Sequence, residues 1–170
     1  FPGGVNQINA HYNAILFLSL LSGRNPHYLI GEQVISAPII KDLKLETIPT
    51  GYILLNGGKL TSVEFMSGTR PIPMDKVDIV ASHALAGQYL GMQLIYLEAG
   101  SGAEHSVTKE IIEVVSYTID IPIIVGGGIK TPASADLAVK SGASIIVTGT
   151  AVEKNSNCME EFANAIHWKG

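Results

Sequence analysis

Short runs of branched apolar residues alternate along the chain with longer stretches in which apolar positions recur every three or four residues. The short runs, residues 14–19, 46–54, 94–97, 121–125 and 144–148, read as strands. They are nearly continuous rather than alternating, the pattern of strands covered on both faces. The longer stretches carry helix-end signals. Asn25-Pro26 supplies an N-cap and a first-turn proline for a helix running to about Leu43. Residues 76–90 form a helical pattern that stops at Gly91, and residues 108–118 place Ile111, Ile112, Val114 and Val115 on roughly one face. Thr131-Pro132 opens a helix ending near Lys140, with Gly142 just beyond, and residues 159–168 (Met159 to Trp168) read as a last helix. Strand then helix, repeated, predicts an α/β fold with a parallel sheet.

Composition narrows the function classes. A chain of 170 residues, 46% of them hydrophobic, can bury one core, so residues 1–170 are expected to form a single domain. The balance of 11 Lys and Arg against 15 Asp and Glu lacks the basic footprint of a nucleic-acid binder. One cysteine, Cys158, rules out a disulfide framework and a multi-cysteine zinc site, and fits a reducing, cytoplasmic setting. The histidines, His11, His27, His83, His105 and His167, show no metal-ligand spacing. The apolar run at 14–18 is far shorter than the roughly 20 residues that span a bilayer. No charged start leads into an apolar run, so no signal peptide is expected.

The glycines carry the chemistry. Each of the last three strand candidates ends in a glycine-bearing turn: Tyr96-Leu97-Glu98-Ala99-Gly100-Ser101-Gly102, then Gly126-Gly127-Gly128-Ile129, then Gly149-Thr150-Ala151. Ligands of parallel α/β proteins bind at the carboxyl ends of the strands. There, bare backbone can bring N–H groups onto phosphate oxygens, and barrels commonly build a phosphate site from their last two βα loops. Tight turns alone would account for one such motif; two in tandem favour phosphate. Neither is a dinucleotide fingerprint, and Gly57-Gly58-Lys59-Leu60 lacks P-loop spacing and reads as a hairpin-type turn. Glu98 lies two residues after Tyr96, so both side chains share one side of a strand. A carboxylate in that apolar setting needs a partner. It is either a substrate hydroxyl, whose proton Glu98 accepts while Tyr96 orients it, or a helix lysine. Arg70 and Lys76, around the rigid Arg70-Pro71-Ile72-Pro73 loop, are either anion ligands or solvated charges.

With these motifs the sequence resembles the geranylgeranylglyceryl phosphate synthases. The resemblance rests on YLEAGSG at 96–102, VGGGI at 125–129 and VTGTA at 147–151, supported by FPGGVNQ at 1–7, FLSLLSGRNP at 17–26, IPTGY at 48–52 and RPIP at 70–73. The related heptaprenylglyceryl phosphate synthases usually carry a shorter YxEYSG-like run, which places this chain nearer the geranylgeranyl branch. The resemblance implies a TIM-type (β/α)8 barrel of which this chain supplies the C-terminal five strands. It further implies transfer of a geranylgeranyl group from its diphosphate to sn-glycerol 1-phosphate with Mg2+. Catalysis would fall to Glu98 and Tyr96. The substrate would be bound by Tyr96, Leu97, Glu98, Ala99, Gly100, Ser101, Gly102, Gly127, Gly128, Gly149 and Thr150. The metal-binding acid of the family lies in a first βα loop outside these 170 residues, so no metal ligand is assigned. Lys130 stands where an arginine is common and Asn13 where an aspartate is common.

A C20 tail requires an apolar groove. Ile30, Val34, Ile35, Ile39 and Ile40 offer one, with ordinary core packing as the competing use of most of them. A lipid product implies transient contact with a membrane surface, and the family implies homo-oligomers. Two other readings stay open: a different phosphate-binding barrel enzyme, such as a sugar-phosphate isomerase, and a catalytically inactive phosphate-binding scaffold.

Overall fold

Strands β1 (Ala14–Leu20), β2 (Glu46–Leu54), β3 (Leu94–Glu98), β4 (Ile123–Gly126) and β5 (Ile145–Val147) pair in parallel, each with the next in sequence. The computed structural model describes residues 5–167. The Phe1-Pro2-Gly3-Gly4 segment and Trp168 lie outside the described residues. A doubly wound sheet reverses its strand order at a switch point. The order here never reverses, which is the winding of a barrel, and this chain contributes five of its strands.

Both faces of the central strands are covered, which explains their uninterrupted apolar runs. On one face Ile53, Ile95, Leu97, Ile123 and Val125 pack against α3 (Val77–Tyr89), α4 (Lys109–Thr118) and α5 (Pro132–Lys140) through Val80, Ala84, Ile111, Ile112, Val115 and Ala135. On the other face Leu18, Leu20, Tyr52, Leu54, Leu94, Tyr96 and Ile124 form a second cluster. Register places Tyr52 beside Tyr96, and Glu98 beside both Leu54 and Gly126, so this second face carries the polar groups up to the strand ends.

Helix starts obey their caps. The Thr131 hydroxyl accepts from the Ser134 N–H at 3.2 Å, and the Ser134 hydroxyl accepts from the Thr131 N–H at 3.2 Å, a reciprocal capping box. Thr108 caps α4 through the Ile111 N–H at 3.4 Å. The Asn25 side chain accepts from the His27 N–H at 3.0 Å, as its N-cap role predicts. The segment it opens is not one continuous helix but a π-helical turn, His27–Gly31, leading into α1 (Glu32–Asp42). The Gln33 amide donates to the Tyr28 carbonyl at 3.3 Å, tying that turn to α1.

Several expectations are corrected. Ile30, Val34, Ile35 and Ile39 are exposed and only Ile40 is buried, so core packing is not the use of most of this set. Helix α1 turns Gln33 and Ile40 inward and leaves Val34, Ile35 and Ile39 outside, while Ile30 lies exposed in the preceding π-helical turn. Val114 is exposed as well. At roughly 100° per residue it falls at the rim of the arc centred on Ile111, Ile112 and Val115. Gly57-Gly58-Lys59-Leu60 is no hairpin turn. It joins β2 to a short helix that the periodicity did not reveal, α2 (Ser62–Ser67), capped by Thr61. The helices after β5 are α6 (Thr150–Lys154) and α7 (Met159–Ile166), and Phe162 of α7 closes the outer core.

Leu97→Ala is expected to lower the unfolding free energy by about 2–5 kcal/mol, because its side chain is fully enclosed. Thr131→Ala, which removes only a cap, is expected to cost about 1 kcal/mol. Denaturant unfolding of the two variants checks the ranking.

Candidate functional site

The polar end of the second face opens into a cavity of about 630 Å³ at the carboxyl ends of the strands. β3 delivers Tyr96 and Glu98 to it, and the turn after that strand adds Ser101 and Gly102. The turn after β4 contributes Gly127, Gly128, Ile129 and Lys130, and the turn after β5 contributes Gly149, Thr150 and, on α6, Lys154. The tandem glycine turns and the acid therefore converge on one space, as their positions in the sequence predict.

Glu98 is 7% exposed, and no lysine pairs with it among the described residues. Its partners are local: Oε1 accepts from the Gly100 N–H at 2.7 Å, and the Tyr96 hydroxyl donates to the carboxylate. Burial nevertheless dominates and holds the carboxyl above its ordinary range, while those two donors pull it partly back. Burial, followed by the nearby Glu98 charge, pushes the Tyr96 and Tyr52 phenols up, so both remain neutral donors. The two tyrosine rings meet edge-on with centroids 5.1 Å apart, which fixes the Tyr96 ring beside the acid.

The glycines after β4 have a second role that the sequence did not disclose. A Cβ on Gly126 would stand 2.6 Å from both Glu98 Oε2 and the Tyr96 hydroxyl oxygen. A Cβ on Gly127, which has φ +78°, would stand 2.4 Å from Glu98 Oε1. Bare backbone here makes room for the acid and its donor. Gly149 differs: its φ is −106°, and a Cβ there would meet nothing within 4 Å. Neither conformation nor packing demands a glycine at that position, which lines the cavity.

Not every expected contact residue reaches the cavity with its side chain. Leu97 and Ala99 point into the core on the helix side. Gly100 is packed against Thr61, the cap of α2, and its N–H is committed to Glu98. Arg70 and Lys76 are not among the lining residues, and Lys76 pairs with Asp75 at 3.3 Å. Sequence reasoning missed Lys59, Val63, Thr148 and Lys154 as lining residues. Lys59 comes just after a tight turn in which the Gly57 carbonyl accepts from the Glu104 and His105 N–H groups at 2.8 and 3.1 Å. Nothing in the local sequence announces that long-range clamp. The cavity is thus lined by Lys59, Lys130 and Lys154 against a single carboxylate, a balance that suits anionic ligands.

Gly126→Ala is expected to overpack the acid and lose about 1–3 kcal/mol of stability, whereas Gly149→Ala retains the wild-type unfolding midpoint; denaturant titration separates them. A second expectation concerns pH. The folded carboxyl of Glu98 binds its proton more tightly than the unfolded one, so its contribution to stability is complete below the ordinary carboxylate range. That contribution is lost as pH rises through the raised folded value. Thermal midpoints measured from about pH 4 to about pH 8 are therefore expected to shift progressively in favour of Glu98→Gln over wild type.

Comparison with known proteins agrees with this geometry. The PcrB family model matches residues 1–167. The geranylgeranylglyceryl phosphate synthase of Chitinophaga pinensis is 47% identical over 167 residues, covering 98% of this chain and 66% of that protein. That of Pyrococcus horikoshii is 48% identical over 160 residues, covering 94% and 62%. The chain thus spans about two thirds of the length of these curated relatives. The crystal structure of (S)-3-O-geranylgeranylglyceryl phosphate synthase from Thermoplasma acidophilum, in complex with its substrate sn-glycerol-1-phosphate, superposes with a TM-score of 0.90 at 38% identity, over 98% of this chain and 68% of that one. The chain belongs to the PcrB family.

Proposed function

We propose that this chain carries the acceptor side of a geranylgeranylglyceryl phosphate synthase site, joining sn-glycerol 1-phosphate to geranylgeranyl diphosphate. The observation that supports it most is the buried, lysine-free carboxylate of Glu98, aimed into a cavity that is otherwise cationic. Lys130 and Lys154, with the backbone at Gly127–Gly128 and Gly149–Thr150, border the part of the cavity where the glycerol phosphate group binds. Its free primary hydroxyl then reaches Glu98. As that oxygen bonds to C1 of the prenyl donor, the hydroxyl proton passes to Glu98, and the C1–oxygen bond breaks with its electron pair leaving on diphosphate. Tyr96 stays neutral and orients the carboxylate, while the closed glycine turns hold the acceptor near attack distance.

Mg2+ belongs to the same reading, but the residues present do not fit it. No group of three His, Cys, Asp or Glu side chains comes together among the described residues. The cavity holds one carboxylate, already engaged by Tyr96 and Gly100. The chemistry assigned to this chain is therefore acceptor binding and proton removal. The exposed Ile30, Val34, Ile35 and Ile39 are an apolar surface available to a prenyl chain. No helix among the described residues is long and apolar enough to cross a membrane, and a lipid product calls for transient contact with a membrane surface. A cytoplasmic homo-oligomer completes the proposal.

Glu98→Gln is expected to lower turnover about 10²–10⁴-fold in an assay of prenyl transfer to sn-glycerol 1-phosphate. Because burial holds the wild-type carboxyl above its ordinary range, the acidic limb of the rate profile is expected to lie at higher pH than the titration of a solvated glutamate. Mass-spectrometric product analysis with C15, C20 and C35 diphosphates tests the donor. Activity restricted to C35 would reassign the chain to heptaprenyl transfer, and no product with any donor would refute the proposal.

A further inference from the structure

The N–H that holds Glu98 in place belongs to the most adaptable kind of residue. Gly100 has φ +98°, and a glycine can take many other backbone angles, yet its N–H stays 2.7 Å from Glu98 Oε1. Its confinement comes from the segment between β2 and α2. The Ala99 carbonyl and the Gly100 N–H belong to one peptide group, and that segment touches both ends of it. A Cβ on Gly57 would collide with the Ala99 carbonyl oxygen, so the Gly57 backbone bounds the oxygen end. A Cβ on Gly100 would collide with Thr61 Cγ2, so the Thr61 methyl bounds the Cα end.

Thr61 is itself buried and fixed. Its hydroxyl accepts from the Glu64 N–H at 3.2 Å and its carbonyl from the Phe65 N–H at 3.0 Å, so the start of α2 sets the side-chain rotamer and leaves the methyl against Gly100. The segment ahead of it is anchored as well. The Gly57 carbonyl accepts from Glu104 and His105, and the Asn56 side chain accepts from the Gly58 N–H at 3.0 Å. Capping needs only the hydroxyl, which serine supplies equally well. The methyl is surplus to the cap, and it is the atom that meets the turn after Glu98.

We infer that Thr61 is a positioning residue for the reaction: its methyl keeps the Gly100 N–H on Glu98 and so holds the carboxylate in the orientation that receives the proton. This rests on the proposed role of Glu98 as the base. Two variants divide the side chain. Thr61→Ser keeps the capping oxygen and removes the methyl, whereas Thr61→Val keeps the methyl and removes the oxygen. Among the described residues, the titratable groups around Glu98 are Tyr96 on its own strand, Tyr52 on β2, and Lys59, Lys130 and Lys154 in the same cavity, while β4 ends there in Gly126. Neither substitution alters any of them.

A pH titration of the Gly100 amide proton by NMR reads the hydrogen bond and the ionisation of its acceptor together. In wild type the signal is expected to move as Glu98 titrates. In Thr61→Ser that movement is expected to shrink and its midpoint to rise, because the Gly100 bond favours the charged carboxylate. Thr61→Val is expected to retain the wild-type titration and to unfold at lower denaturant. In the prenyl-transfer assay, Thr61→Ser is expected to lower kcat about threefold or more, to change KM for sn-glycerol 1-phosphate by less than about twofold, and to carry the acidic limb to higher pH. A wild-type Gly100 titration in Thr61→Ser, or the same change in Thr61→Val, overturns the assignment. A displaced Gly100 titration in Thr61→Ser with an unmoved rate profile upholds the confinement of Gly100 and overturns Glu98 as the base instead.

Discussion

The hydrogen bond from Tyr96 to Glu98, made at the mouth of a parallel sheet with the Gly100 N–H closing the other side, is the contact on which the remaining geometry turns. A carboxylate at 7% exposure is costly in an apolar setting unless donors reach it. Two donors lower that cost without cancelling it, which leaves a base stronger than a solvated glutamate and held in one orientation. Its surroundings keep that arrangement in place. Tyr52 props the Tyr96 ring, and Gly126 and Gly127 withhold the Cβ atoms that would occupy the space of the carboxylate. The β3–α4 loop then folds over the top, where the β2–α2 loop is fastened to it.

Charge is distributed around that acid rather than upon it. The lysines come from segments that follow three different strands, Lys154 from helix α6, and none pairs with Glu98. Separation matters chemically, since a lysine in contact would stabilise the ionised acid and weaken it as a proton acceptor. Distance lets the same cavity attract dianionic ligands and still keep a basic carboxylate.

Much of the sheet was legible because its strands are covered on both faces and so lack polar interruptions; the bounds of β2 coincide with the expected run. Tyr96 and Glu98 were legible from the two-residue period of a strand, and the convergence of the glycine turns from their place after consecutive strands. Other features depend on contacts distant in sequence. The six-residue helix α2 is too short to show a period, and Lys59 gains its position from a carbonyl clamped by residues more than forty positions away. The apolar face of α1 misled because periodicity marks which residues are apolar, not which side the sheet takes, and Pro38 and the π-helical turn alter the phase as well. For Gly126 and Gly127, no local signal separates a glycine that admits a ligand from one that admits a neighbouring side chain.

Gly126 imposes an evolutionary bargain on two strands at once. Any larger residue there is compatible only with a shorter acid at 98 or a phenol-free ring at 96, so the three positions cannot drift independently, although a whole helix and two loops separate Glu98 from Gly126 in the chain. Gene shuffling with a crossover between β3 and β4 would join an acid from one parent to a glycine turn from another. Such hybrids inherit a working pocket only when both parents observe the same size rule at these three sites.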